Sequence, residues 1–335
     1  MTNHEPILKT HWERYRDHIN INMIQAQKLI DPYCHDVIKN LILLSEGCAN
    51  TNIKVEFEQR QPIVVRIYLR EKESLTREIA LHHLLNKRIP MPEIYYSDDS
   101  CSLIDHPYAI MGFADGELMR NIILSGNKND IADCAFSAGI YLNHLRQIKL
   151  KQGGFFQDNL EIRPFGSEEE YLPFAQSCLK KDNVQESLGT KLVDQLNRLI
   201  EANQSYLPNK NNANLTHADF DPANMLVKKV NDHYQISAIL DWEFAFSGSY
   251  LLDIGMFLRY SHKLPEFYEE RFIEGIVSKG EALPVNWKKS AKLMDIICLL
   301  SLLYWNPKSE RPKLNQDAVS LLKHTVDHWD HFNVS

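Results

Sequence analysis

The stretch that decides the fold reads His217-Ala218-Asp219-Phe220-Asp221-Pro222-Ala223-Asn224, and Asp241 follows it after two apolar runs. The runs, residues 225–230 and 234–240, flank Asn231-Asp232, a pattern that predicts a β-hairpin. Because a hairpin returns its two ends to one edge of a sheet, we expect Asn224 and Asp241 to converge. Each of these polar residues alone is an ordinary loop or turn residue. Their ordered combination predicts a single site.

The residue types in this stretch suit phosphoryl transfer. That reaction needs metal ions and positive charge on the phosphates and a carboxylate that orients the attacking hydroxyl. Asp219 lies five residues before Asn224, the spacing of the kinase catalytic loop, where the aspartate accepts the hydroxyl proton and the asparagine binds a metal ion. Asp241 is the expected second ligand, since Mg²⁺ prefers hard oxygen ligands and keeps several waters.

Length and composition limit the class of protein. A chain of 335 residues exceeds the usual size of one hydrophobic core, so two domains are expected. A net charge of -7 without tracts of like charge argues against nucleic acid as a partner. The six cysteines form no CxxC pair, which predicts neither a disulfide framework nor a zinc site and favours a reducing cytoplasm. The N-terminus lacks the apolar run of a signal peptide. The most apolar run, residues 293–305, contains Asp295 and is expected to be a buried helix, so no membrane partner is predicted.

The first third of the chain predicts a small sheet with one helix. Residues 53–58 and 63–70 alternate apolar and polar side chains, the pattern of a hairpin, and residues 41–44 offer an earlier strand. Residues 74–88 have helical spacing after a Ser cap. Residues 108–113 predict a strand that leads into an exposed connection. We therefore expect an N-terminal nucleotide-binding lobe over residues 1–113, with a helical extension over about residues 1–35.

Helical patterns dominate the remaining residues, 114–335. Helices are expected at 131–148 and 171–181, along a leucine series from 188 to 199, and three times after about residue 250. The hairpin before Asp241 is the one β island predicted among them. This part is expected to form the catalytic and substrate lobe.

The segments 215–227 and 239–243 resemble the aminoglycoside phosphotransferase and choline kinase superfamily. The resemblance covers residues 35 to 330 approximately. It implies an α+β, bilobal, protein-kinase-like fold, in which a small N-terminal lobe has an antiparallel sheet plus a helix and the larger C-terminal lobe is mostly helical. It also implies Asp219 as the catalytic base, His217 as a residue supporting its loop, and Asn224 and Asp241 as Mg²⁺ ligands. Asp253 resembles a further acidic residue that supports the loop.

The resemblance further implies a nucleotide site in the cleft between the lobes. The loop that covers the phosphates would include Ser45, Gly47 and Asn50, although a plain hairpin turn is an equal alternative there. Arg66 occupies the place of a phosphate-contacting cation, and Glu78 that of its ion-pair partner. Arginine can bind phosphate through two parallel hydrogen bonds, unlike lysine. The segment Met111-Gly112-Phe113 would hold the adenine ring through its backbone, with strand core as the alternative.

These observations lead to one expected function and two alternatives. The expected function is a kinase that uses ATP or GTP with Mg²⁺ and phosphorylates a hydroxyl of a small molecule, with an aminoglycoside-like antibiotic as a candidate acceptor. A protein kinase is one alternative, but Asp221 replaces the usual lysine of that loop, and Trp242-Glu243 replaces Phe-Gly. A nucleotide-binding pseudokinase that serves as an interaction module is the other.

Overall fold

The computed structural model of the protein describes residues 7–44, 49–71, 73–85, 88–157, 159–211 and 213–333. Across those residues the α-helices are α1 (Met23–Ile30), α2 (Glu73–Leu85), α3 (Met119–Ser125), α4 (Lys128–Arg146), α5 (Tyr171–Lys180), α6 (Asp182–Ala202), α7 (Leu251–Phe257), α8 (Phe267–Val277), α9 (Trp287–Trp305) and α10 (Pro312–Asp327). The strands are β1 (Asn40–Leu44), β2 (Thr51–Glu56), β3 (Ile63–Ile67), β4 (Ile94–Asp98), β5 (Tyr108–Gly112), β6 (Glu117–Leu118), β7 (Gly154–Phe156), β8 (Ile162–Pro164), β9 (Asn214–Thr216), β10 (Met225–Val230), β11 (His233–Ile239) and β12 (Phe246–Gly248). A small lobe built on a sheet precedes a larger, mostly helical lobe, which confirms the predicted α+β bilobal fold.

The N-terminal lobe is a five-stranded antiparallel sheet in the order β1-β2-β3-β5-β4. Alternation in β2 places Ile53 and Val55 on a buried face, opposite Val65 and Ile63 of β3. Helix α1 packs its apolar residues against this face. The other face packs against α2 through a smaller cluster that includes Leu75. The predicted hairpin of residues 53–58 and 63–70 is confirmed.

The N-terminal extension is only partly helical. Asn22 and Gln25 form a capping box that begins α1, and Pro32 follows its end, where proline cannot continue a helix. Residues 12–22 have no regular secondary structure apart from a bend at residues 15 and 16. The prediction of helix across the extension is therefore wrong for this stretch.

The C-terminal lobe contains more β structure than the sequence predicts. Strand β6 joins the predicted β10–β11 hairpin as a third strand, and a separate four-stranded sheet has the order β8-β7-β12-β9. The expectation of a single β island is wrong, because strands of two or three residues are too short to show a period of two. Four α-helices, not three, follow residue 250 in the described part of the chain. The seven-residue α7 is the shortest of them.

The C-terminal lobe has one continuous hydrophobic core, to which α4, α7, α8 and α9 all contribute. The apolar run 293–305 lies in α9, as predicted. Asp295 is the only acidic residue of that run. The guanidinium of Arg259 donates to its buried carboxylate at 2.8 Å and 2.6 Å and compensates its negative charge. Among the described helices, none has the length and apolar character needed to cross a membrane.

Candidate active site

The loop between β9 and β10 presents Asp219. The residue before it, Ala218, has a left-handed backbone with φ 62°, a conformation that costs free energy in a non-glycine residue and persists where neighbours enforce it. Asp253 of α7 does so, because its two carboxylate oxygens accept the backbone N–H groups of His217 and Ala218 at 2.8 Å and 2.9 Å. The carboxylate of Asp253 is fully buried. The loop is therefore attached to the helical core.

His217 supports this loop through both of its ring nitrogens. Its Nδ1 accepts the backbone N–H of Asp219 at 3.1 Å, so the ring hydrogen lies on Nε2, which faces the carbonyl oxygen of Leu240 at 3.0 Å. The ring is fully buried and lies against Trp242, with 4.4 Å between ring centroids. Burial lowers the pKa of His217 to about 4. Its geometry is that of a neutral positioning group.

The carboxylate of Asp219 has a partner on each oxygen. Oδ2 accepts the side-chain amide of Asn224 at 2.7 Å, and Oδ1 lies 2.6 Å from the ammonium of Lys9. Burial raises the pKa of Asp219, but the ammonium and the hydrogen bonds outweigh burial and hold the pKa below its ordinary value. Asp219 is therefore an ionised carboxylate that can accept a hydrogen bond from a hydroxyl group.

The predicted hairpin brings Asn224 and Asp241 to the same place. Met225 pairs with Ile239, and the N–H of Leu240 donates to the carbonyl of Asn224 at 2.8 Å. Because Nδ2 of Asn224 is used by Asp219, its Oδ1 is the atom left to coordinate a cation. Asp241 follows in a left-handed conformation with φ 61°. This donor set, an amide oxygen and a carboxylate, fits Mg²⁺ bound together with phosphate and water oxygens.

Arg66 and Glu78 form the ion pair expected between β3 and α2. Nε of Arg66 lies 3.3 Å from Oε2 of Glu78, and the hydroxyl of Tyr68 donates to the same oxygen at 2.6 Å. Nη1 of Arg66 also lies 2.6 Å from Oδ1 of Asp241. Arg66 therefore connects Glu78 of the small lobe to Asp241 at the acidic end of the hairpin.

The remaining predicted nucleotide-binding residues divide into three groups. Ser45 and Gly47 lie outside the described residues. Asn50 donates to Oε2 of Glu243 at 3.3 Å and lines the cleft. Met111 is buried in β5, and the ring of Phe113 lies 4.6 Å from the ammonium of Lys54. Neither residue belongs to the described lining of the cavity. The role of segment 111–113 stays a prediction.

A cavity of about 660 Å³ lies between the lobes and brings the polar residues together. Asn50, Asp219, Asn224 and Asp241 line it, whereas Arg66, Glu78 and His217 stand behind its wall. On the C-terminal-lobe side the wall has an aromatic part. It is formed there by the rings of Phe155, Phe165, Tyr171, Phe174 and Phe246.

A model of the phosphotransferase enzyme family, APH, matches residues 40–283. The chain belongs to this family. Solved phosphotransferases share its fold at low sequence identity. A GDP complex of a mutant aminoglycoside 2′-phosphotransferase-IIIa is 16% identical and has a TM-score of 0.71, covering 93% of this chain and 100% of its own. A GDP and kanamycin complex of APH(2″)-IIIa is 16% identical with a TM-score of 0.68, covering 93% and 100%.

A third phosphotransferase structure, a ternary complex of a thermostable APH(4)-Ia mutant with ADP and hygromycin B, is 17% identical. It has a TM-score of 0.62 and covers 92% of this chain and 98% of its own. A search of curated proteins finds no match. At these identities the structural likeness establishes the phosphotransferase fold, which agrees with the resemblance seen in the catalytic-loop sequence.

Sequence reasoning missed Lys9. Its ammonium contacts Asp219, 210 residues along the chain, and lies 3.4 Å from Oδ2 of Asp221. It also missed Arg70, whose Nε lies 3.5 Å from Oε1 of Glu243 at the rim of the cavity. Neither residue belongs to a motif, and the family match begins after Lys9. Only the fold brings Lys9 to the phosphotransferase loop.

Proposed function

We propose that this phosphotransferase is a small-molecule kinase that transfers the γ-phosphoryl group of ATP or GTP to a hydroxyl group. The observation that carries the proposal is the hairpin that delivers Asn224 and Asp241 to the cavity floor beside Asp219. Bound Mg²⁺ would neutralise the phosphate charge that develops during transfer. Asn224 and Asp241 would hold it there.

The roles of the chain's own residues follow from their contacts. Asp219 would accept a hydrogen bond from the acceptor hydroxyl and then its proton. The acceptor oxygen forms a bond to the γ-phosphorus, the bond from that phosphorus to the bridging oxygen breaks, and the nucleoside diphosphate leaves. His217 and Asp253 keep Asp219 in place. Arg66 would contact the phosphates by turning from Asp241 toward the cavity, which it does not line in the structure.

The lining of the cavity and the related structures support two classes of candidate acceptor. Phe155, Phe165 and Phe246 pack edge-to-face or tilted within 5.1–6.0 Å of one another, which offers an apolar surface to a ring-containing acceptor. Glu169, a carboxylate of the lining, is held by both terminal nitrogens of Arg163 at 2.8 Å and 2.9 Å. Aminoglycosides are candidate acceptors because two related structures contain them. Apolar cyclic alcohols are candidates because of the aromatic wall.

The test is a transfer assay with the purified protein, Mg²⁺, and ATP or GTP. The acceptor panel contains kanamycin, hygromycin B and neutral alcohols with one apolar ring, and the product is identified by mass spectrometry and ³¹P NMR. Transfer to an acceptor hydroxyl is expected for the intact protein, and transfer slower by at least about 10²-fold is expected for Asp219→Asn. Nucleotide binding without transfer to any acceptor would favour the pseudokinase alternative. Transfer only to serine or threonine of added proteins would favour the protein-kinase alternative.

A further inference from the structure

The N-terminal strap, residues 7–14, places an ammonium group inside the active site. Nζ of Lys9 lies 2.6 Å from Oδ1 of Asp219 and 3.4 Å from Oδ2 of Asp221, and the Lys9 side chain is 7% exposed. Among the described residues, Lys9 is the one charged donor in contact with Asp219. Lys9 also lines the cavity that holds Asn224 and Asp241.

The strap is fixed to the C-terminal lobe at several points. The neighbour of Lys9, Leu8, is fully buried in the core of that lobe. The indole N–H of Trp12 donates to the fully buried carboxylate of Asp317 in α10 at 2.8 Å. The carboxylate of Glu13 accepts two backbone N–H groups of the first turn of α10, at 2.8 Å and 3.2 Å, where negative charge is favoured by the helix dipole.

The backbone turn that points Lys9 at Asp219 is strained. Leu8 and Lys9 have φ values of 50° and 59°, the left-handed region that bulky residues rarely adopt. Two consecutive residues in this conformation persist only where the surroundings enforce them. The turn sends Leu8 into the apolar core and Lys9 toward the cavity. Their opposite directions account for the strain being retained.

The ammonium keeps its charge in this position. Burial lowers the pKa of Lys9, but the carboxylates of Asp219 and Asp221 outweigh burial and raise it above the ordinary value. Because the ammonium lies between the carboxylates of Asp219 and Asp221, it also offsets the repulsion between their negative charges. A fixed positive charge therefore stands beside the group that would orient the attacking hydroxyl.

We propose that Lys9 is a catalytic residue whose ammonium contacts the transferred phosphoryl group. The proposal rests on the proposed kinase function. A hydroxyl that donates to Asp219 lies within about 3 Å of its carboxylate, as the Lys9 ammonium does, so the phosphorus attacked by that hydroxyl approaches Lys9. Negative charge spreads over the equatorial phosphoryl oxygens at that moment, and a fixed cation there stabilises the transition state more than the ground state.

The alternative is that the strap is a removable plug over the acceptor site, and it predicts the opposite effect of replacing Lys9. If the strap blocked the acceptor, removing the ammonium would accelerate turnover and strengthen binding. The attachments of Leu8, Trp12 and Glu13 instead make the strap a permanent part of the C-terminal lobe. A permanent ammonium also disfavours acceptors that bring a second cation to Asp219.

The experiment measures binding of Mg-ADP alone and of Mg-ADP with aluminium fluoride, a mimic of the transferred phosphoryl group. It compares the intact protein, Lys9→Met, and Lys28→Met as a matched control on the exposed side of α1. We expect Lys9→Met to weaken binding of the aluminium fluoride complex at least about tenfold. Binding of Mg-ADP alone is expected to stay within about threefold, and Lys28→Met is expected to match the intact protein in both.

Each outcome decides a separate point. The catalytic role of Lys9 is overturned if Lys9→Met binds the aluminium fluoride complex as tightly as the intact protein does, or more tightly. That result leaves the proposed kinase function standing. Failure of the intact protein to bind Mg-ADP overturns the proposed function as well. If Lys9→Met does not fold, Lys9→Met/Asp221→Asn removes one charge of each sign and keeps the acceptor oxygen for the N–H of Ala223. The same criteria then apply to the double variant.

Discussion

At the scale of single residues, Asp219 is held by groups that differ in origin. Asn224 and His217 come from its own loop and Lys9 from the far N-terminal strap, whereas Asp253 of α7 acts indirectly, by accepting the N–H of the residue before Asp219. Asp219 still lines the cavity, with its side chain 22% exposed. These contacts fix its direction and its ionisation, which are the two properties that a base orienting a hydroxyl requires.

Replacing Asp219 by asparagine should separate chemistry from binding. The amide keeps the shape of the carboxylate but cannot accept a proton, so the turnover rate is expected to fall about 10²- to 10⁴-fold. The Kd for Mg-AMP-PNP should change little. Transfer rate and calorimetric affinity are the two measurements, and unaltered turnover would exclude Asp219 as the base.

Replacing Asp241 by asparagine should affect binding and turnover together. Loss of a direct carboxylate ligand is expected to weaken Mg-nucleotide binding at least about tenfold. Tenfold is about the smallest loss of metal affinity that is typical when a residue that only orients a metal ligand is replaced. Binding of the nucleotide with EDTA present provides the control, since it involves no metal ion. An unchanged Mg²⁺ dependence would contradict the assignment of Asp241.

His217 should make the folded state sensitive to acid. Burial lowers its pKa from 6.5 to about 4, so the folded protein binds this proton less tightly than the unfolded chain. Its contribution to stability is fully present above pH 6.5 and is lost as the pH falls through about 4, a loss of about 3 kcal/mol. The destabilisation caused by His217→Gln, measured by urea unfolding, should therefore shrink by that amount between about pH 7.5 and pH 4. A destabilisation of equal size at the two pH values would contradict the assignment of His217 as a buried, neutral imidazole.

Sequence spacing predicts the residues of this site that lie close together in the chain. Asp219, Asn224 and Asp241 can be found because five residues and one hairpin relate them. Lys9 cannot, because 210 residues separate it from Asp219 and its neighbours form no recognisable motif. The contact exists only after the whole lobe has folded.

At the scale of elements, the hairpin β10–β11 and the crossing of α4 and α8 position the loop. The hairpin has Asn231 and Asp232 at its turn, both with positive φ, as a tight type I′ turn requires. This element was predictable because turn chemistry and alternation agree. The two- and three-residue strands of the adjoining sheet were not, since their pairing is set by tertiary contacts rather than by local pattern.

The α4–α8 crossing depends on two facing glycines. A Cβ on Gly139 would lie 2.1 Å from the carbonyl oxygen of Phe272, and one on Gly275 would lie 2.2 Å from that of Phe136. Gly139→Ala is expected to destabilise the protein by about 1–3 kcal/mol, because the helices must separate. Gly166→Ala is the control, since its Cβ meets nothing closer than 3.5 Å. Equal unfolding free energies for the two variants would contradict the close approach of the helices.

At the scale of the whole molecule, the strap connects both lobes around the cleft. Trp12 and Glu13 bind α10 of the C-terminal lobe, while Nη2 of Arg14 donates to the carbonyls of Ala49 and Asn50 beside β2 of the N-terminal lobe, at 2.9 Å and 3.1 Å. The strap and the whole of α10 lie outside residues 40–283, which match the family. The position of the lobe boundary near residue 113 stays a prediction.

Weakening the attachment of the strap to α10 should destabilise the folded protein. Trp12→Phe removes the indole donor from Asp317, a fully buried carboxylate that keeps only the hydroxyl of Tyr260 as its described donor. The free energy of unfolding is expected to fall by about 1–3 kcal/mol. Trp305→Phe, at a residue that is 67% exposed, should have almost no effect. Similar losses for both variants would show that the Trp12 contact is not specific.

The attachment of the strap to α10 has a consequence for biosynthesis. Glu13 and Lys313 are 300 residues apart, so at about 5–20 residues per second roughly 15 to 60 s separate their synthesis. During that interval the catalytic loop can fold around His217, but nothing holds Lys9 beside it. We expect the contact between the strap and α10 to form late in folding. Bringing two segments so far apart in the chain together costs conformational entropy before their contacts can offset that cost. A nascent chain that has already formed its hairpin would therefore still have an incomplete active site until its last described α-helix emerges from the ribosome.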